Sequence, residues 1–145
     1  MYNSCKPVFL ALGLLLALGP IACNSDDNDD TDAACADTLC TAIFIRILVS
    51  VKDQDQDPVI LDAFEVINVA NGADMTIALS ASELEGAKEF GQYPLVQDGT
   101  LALNETRHIQ FKGFINGAEV ITSTYTVSTD CCHVGLDSGD LELTL

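Results

Sequence analysis

The chain has 145 residues, 48% of them hydrophobic and only 6% aromatic, with 22 acidic residues against 6 basic ones and a formal net charge of −16. So acidic a chain lacks the clustered Lys and Arg that phosphate-backbone binding requires, which excludes nucleic acid and argues against anionic lipid headgroups as partners. Its length allows one domain with a modest core.

Met1 to Lys6 is a short polar start carrying one positive charge, and Val8 to Ala22 is almost purely apolar, the n-region and h-region of an export signal. A membrane-spanning helix needs about 20 apolar residues. This run stops short of that and contains Gly13, Gly19 and Pro20, so it reads as a signal that is removed. Its end, "LGPIAC", resembles the lipobox of bacterial lipoproteins, in which small residues precede a cysteine that is acylated on sulfur and becomes the new N-terminus. Ala22 and Cys23 fit that pattern, while Pro20 stands where the family usually has Leu. The resemblance implies a signal peptide over residues 1–22 and a lipid on Cys23. Cys5 would leave with the signal.

The next segment, 24–37, holds six aspartates and no base. Such a run repels itself and has nothing to bury, which predicts an extended, solvated tether over residues 23–38. "CNSDD" resembles the Ser-plus-acid signal that directs some Gram-negative lipoproteins to the outer face of the outer membrane, and so implies surface display.

The folded part, residues 39–145, opens at "TAIFIRILVSVKD", where Ile43, Ile45, Ile47, Val49 and Val51 alternate with other residues and predict a strand with one face in the core. A turn at Asp53 to Pro58 leads to a second strand in "VILDAFEVINVA", and "MTIAL" resumes it after "ANGAD". "SASELEGAKEF" carries the one helical pattern, which Gly86 and Gly91 reduce to a loop or a single turn. Short strands are expected at Tyr93 to Gln97 and Thr100 to Leu103, joined across "DG". Asn116-Gly117 supplies the two positive-φ residues of a type I′ hairpin within "RHIQFKGFINGAEVITSTYTV", and "DLELTL" closes the chain as a strand.

Seven to eight short strands with turn signals between them predict an all-β fold, a single antiparallel β-sandwich. The stretch Ile47 to Val69, strand, acidic turn, Pro-Val and strand, resembles the first hairpin of transthyretin-like or carboxypeptidase-regulatory-type (Ig-like) sandwiches. Pro58, Val59 and Ala63 match and the usual turn glycines are absent. The resemblance implies a small accessory module of bacterial surface proteins, with no catalytic residues to carry over.

Three constellations could carry chemistry. In an exported chain, Cys35, Cys40, Cys131 and Cys132 read as two disulfides. Adjacent cysteines in an extended segment point to opposite sides. Cys131 shares strand parity with Ile121, Tyr125 and Val127 and should face the core, which pairs it with Cys40 and leaves Cys35 for Cys132. Closing loops of this length stabilises by roughly 4 to 5 kcal/mol in the chain-entropy model. The alternative, a metal site on Cys131, Cys132 and His133, suffers from adjacent ligands that fit tetrahedral geometry poorly.

In "DQDQDP", Asp53, Asp55 and Asp57 have the one-three-five spacing of a calcium loop, but Pro58 and Phe64 stand where such a loop needs Gly and Glu. A solvated hairpin turn is the simpler reading, with a calcium site completed by other loops as its alternative. Of the two histidines, His108 is expected to face solvent from a strand and His133 to cap or pack the bridged corner. No spacing singles out a catalytic acid and base. The sequence therefore predicts a non-enzyme: a membrane-anchored surface lipoprotein that binds or assembles with an envelope protein or an extracellular glycan and needs no cofactor. Its alternatives are a calcium-dependent adhesive module and a thiol or metal enzyme centred on Cys131, Cys132 and His133.

Overall fold

The computed structural model describes residues 35–145. The expected signal peptide, the lipidated Cys23 and residues 24–34 of the tether lie outside the described residues. Two sheets face one another across the core. One has strand order β3-β1-β7, from β1 (Arg46–Lys52), β3 (Gln92–Gln97) and β7 (Glu142–Thr144). The other has order β2-β4-β5-β6, from β2 (Ala63–Asn68), β4 (Thr106–Ile115), β5 (Ala118–Thr129) and β6 (Val134–Ser138). Among the described residues this is an all-β, two-sheet arrangement with a ten-residue helix, α1 (Ala81–Phe90), beside the smaller sheet.

The alternation that begins at Ile43 becomes a strand only at Arg46, because the antiparallel partner strand reaches no further than the Arg46–Gln97 pair. Ile43 and Phe44 are left 62% and 60% exposed, while Val49 and Val51 are fully buried. One pairing departs from the antiparallel expectation: β7 runs parallel to β1, from Ser50–Glu142 to Lys52–Thr144.

The stretch 47–69 is a corner between the sheets rather than a hairpin. Val59 N–H donates to Val51 O and Lys52 bridges Pro58, but the chain then crosses to the other sheet, so β1 and β2 never pair. Leu61, 1% exposed, makes that crossing, and its N–H donates to the Tyr93 hydroxyl at 2.7 Å. Gly113 leaves room for it, since a Cβ there would stand 2.7 Å from the Leu61 side chain.

"MTIAL" does not resume the strand. Residues 73–76 instead line the outer edge of β2, where Asn68 N–H donates to Ala73 O, Met75 N–H to Val66 O, and Val66 N–H to Thr76 Oγ1. That cover saturates backbone groups that would otherwise template foreign strands. Thr100 to Leu103 is likewise not a strand, because the Asp98-Gly99 turn sends the chain across to the larger sheet. β6, with its short mixed sequence VGLDS, had no signal in the alternation pattern.

The expected loop at "SASELEGAKEF" is a ten-residue helix. Ser80 and Glu83 form a capping box, each side chain accepting from the other's backbone N–H. Gly91 ends the helix in the left-handed conformation at φ 62°, so it terminates the helix instead of forbidding it. Gly86 lies on an open side of the helix, where a Cβ would meet nothing within 4 Å. The Asn116-Gly117 turn forms as expected, at φ 51° and 75°.

The core between the sheets gathers Val49, Val51, Val66, Leu95, Ile109 and Val127 around the rings of Tyr93, Phe111 and Phe64. Strand direction then sorts the connections to two poles. Residues 41–45, 98–104 and 130–133 meet at one, and the 53–57 turn, the 116–117 turn and Leu145 lie at the other.

Candidate functional site

β5 ends at Thr129, and the chain turns at once: Asp130 N–H donates to His133 O, closing a tight loop around Cys131 and Cys132. Asp130 Oδ1 accepts the N–H groups of Cys132 at 2.6 Å and His133 at 2.8 Å. The His133 and Cys132 amides hold the Asp130 carboxyl below its ordinary pKa, against desolvation.

All four described cysteines are bridged, with the pairing opposite to the one expected: Cys35–Cys131 and Cys40–Cys132. The parity argument fails because the two adjacent cysteines sit in a turn, where side-chain directions do not alternate as they do in a strand. Both bridges tie the end of the acidic segment to the same turn, across sequence separations of 96 and 92. Loop closure explains most of the first bridge's contribution, and the second adds less because its ends are already near.

The Cys40–Cys132 bridge places the next residue on each side together. Thr41 Oγ1 lies 3.0 Å from His133 Nε2, and His133 Nδ1 lies 2.8 Å from Asp98 Oδ2. Asp98, in the turn after β3, also accepts Ile45 N–H at Oδ2 and Val134 N–H at Oδ1, each at 2.8 Å. Burial works against its charge, but the Ile45 and Val134 amides and the His133 ring outweigh it, and its pKa falls below the ordinary carboxylate value. Its side chain is 15% exposed and that of His133 24%, whereas Thr41 is open to solvent. A hydroxyl, an imidazole and a carboxylate thus stand in series, the order in which a base-activated nucleophile is built. Comparison with protein-family models, curated proteins and solved structures finds no match to this chain.

His133 was expected to pack the bridged corner, and it does so through two side-chain partners. Thr41 and Asp98 had no visible role, because 41, 98 and 133 are brought together only by the sheet topology and the bridge. Asp53 Oδ1 accepts the N–H groups of Asp55 at 2.9 Å and Asp57 at 3.0 Å, so this carboxylate shapes its own turn. Among the described residues no group of three or more His, Cys, Asp or Glu side chains is arranged to hold a metal ion. With every sulfur of the corner bonded to another, Cys131 and Cys132 offer no thiolate ligand or nucleophile. His108, exposed on β4, meets Thr126 Oγ1 through Nδ1 at 3.0 Å and borders a shallow groove of about 290 Å³ with Val69, Thr124, Tyr125 and Ser138.

Proposed function

We propose that this chain is a surface lipoprotein, anchored to the outer membrane through a lipid on Cys23, whose sandwich acts as a binding or assembly module in the cell envelope. The observation that carries this reading is the double staple of Cys35 and Cys40 to one pole of the sandwich. A tether fixed at that pole leaves the opposite one, with the Asp53–Asp57 and Asn116-Gly117 turns, facing away from the membrane. Two disulfides suit an oxidising compartment, which export provides. A transthyretin-like or Ig-like module is part of the same proposal, supported by the two-sheet architecture alone, since the 47–69 stretch is a corner and not the first hairpin of such modules. The role needs no turnover, and its partner is an envelope protein or an extracellular glycan. The hydroxyl-rich groove beside His108 supports the glycan.

Fractionation of cells expressing the wild type and Cys23→Ala tests the anchor: the wild type should sediment with membranes and the variant should be released. A variant that still sediments fully rules the anchor out. Capture of partners from intact cells, with calcium and with chelator, then separates the readings. Calcium-independent capture supports the module as proposed, and capture that needs calcium and is abolished by Asp53→Asn with Asp55→Asn replaces it with the calcium-dependent adhesive reading.

A further inference from the structure

The bridged corner holds a relay that display does not use. Asp98 Oδ2 lies 2.8 Å from His133 Nδ1, and a neutral ring that donates there turns its unprotonated Nε2 to the Thr41 hydroxyl 3.0 Å away. That is the tautomer a general base requires. The carboxylate cannot swing off the ring, because backbone N–H groups of two different segments, Ile45 and Val134, hold both of its oxygens. The ring cannot leave the hydroxyl easily either, since Thr41 and His133 each follow directly on a cysteine of the same disulfide. Thr41 itself is exposed, so a reactant can reach Oγ1 from solvent.

We propose that Thr41 is a nucleophile for acyl transfer from small activated esters, with His133 as general base and Asp98 as the residue that orients and charges the pair. Thr41 Oγ1 attacks the ester carbonyl carbon while its proton passes to His133 Nε2. The ester C–O bond breaks, and the leaving oxygen takes that proton from the imidazolium, which Asp98 stabilises. Water, activated by the same nitrogen, then attacks the acyl-Thr41 ester, releasing the carboxylic acid and returning the hydroxyl. Because Thr41 is exposed, the ester's own reactivity and not a binding pocket has to carry the reaction, which points to activated esters. This activity adds to the display role and does not rest on it.

The test uses the purified, unreduced full chain and 4-nitrophenyl acetate, following nitrophenolate release and mapping acetyl groups by mass spectrometry after acid quench. General-base activation is worth about 10² to 10⁴-fold. Release should therefore fall by about 100-fold or more in Thr41→Val and persist in Thr41→Ser, with acetyl trapped at position 41 in the wild type. Asp98→Asn should slow release and move the pH profile, provided its thermal melt shows it folded; if it is not, the Thr41→Val and Thr41→Ser pair decides alone. Release undiminished in Thr41→Val, or acetyl found only on lysines and the N-terminus, overturns the proposal. Activity that survives Thr41→Val and is lost in His133→Gln does the same, because the imidazole would then be acting by itself.

Discussion

Thr41 and His133 meet at 3.0 Å because each sits one position after a cysteine of the Cys40–Cys132 bridge. The bridge does for this pair what a rigid strand does elsewhere: it removes the freedom of two loops in the folded chain. Through His133 the contact continues to Asp98, and through Asp98 to the start of β1 and the start of β6. One covalent link, one imidazole and one carboxylate thus gather three chain segments at a single pole.

That arrangement makes stability sensitive to acid. Asp98 has a folded pKa below the ordinary value near 3.9, so its contribution is complete above that value and is lost as pH falls through the lower, folded one. Wild-type stability should therefore drop as pH is lowered below about 4. Asp98→Asn should be less stable at pH 7 and drop less steeply, the remaining slope coming from Asp74, Glu83 and Asp130, whose pKa values are also lowered. Denaturant titrations at pH 7, 5 and 3 measure this, and identical slopes in the two proteins would refute it.

The bridge pairing has its own signature. Among the four bridged cysteines, the thiol freed in Cys35→Ser should be Cys131, and in Cys40→Ser Cys132. Alkylation of the unfolded, unreduced variants followed by fragmentation of the labelled peptide locates each thiol. Each loss should also destabilise the fold, with removal of both bridges costing more than about 2 kcal/mol.

Tyr93 joins the crossing segment to the core through both functions of its hydroxyl. It donates to Val59 O at 2.9 Å and accepts Leu61 N–H at 2.7 Å, with its side chain fully buried. Tyr93→Phe keeps the ring contacts with Phe64 and Phe111 but leaves those backbone groups unpaired. A loss of about 1–3 kcal/mol is expected in urea denaturation; no loss would mean that water or a shifted backbone satisfies them.

Gly91 cannot carry a side chain. It is left-handed at φ 62°, and a Cβ would stand 2.6 Å from Val51 O, the carbonyl that receives Val59 N–H. Gly91→Ala should cost at least about 1–2 kcal/mol, the penalty of the left-handed conformation alone, whereas Gly86→Ala, in open space on the same helix, should stabilise by up to about 1 kcal/mol. Thermal unfolding of the two variants gives opposite shifts if this account is right.

Much of the architecture is legible in local pattern. Alternation marks Val49 and Val51 as core positions, Asn116-Gly117 places its hairpin, and the even set Cys35, Cys40, Cys131 and Cys132 reads as bridges, because each of these signals is short-range and acts through backbone conformation or residue type. The helix was legible too, in the Ser80-x-x-Glu83 capping box and the terminal Gly91, although two glycines in the twelve residues 80–91 masked it. What the chain's own order did not decide is everything that depends on which segments become neighbours. The 47–69 stretch looks like a hairpin by turn chemistry, yet burial of Leu61 beneath Tyr93 and Gly113 draws it to the other sheet. The disulfide partners follow from a turn after β5 rather than from strand parity. Thr41, Asp98 and His133 share no motif, since their spacing is set by the packing of two sheets and one covalent bridge, and only the folded chain brings a hydroxyl, an imidazole and a carboxylate into line.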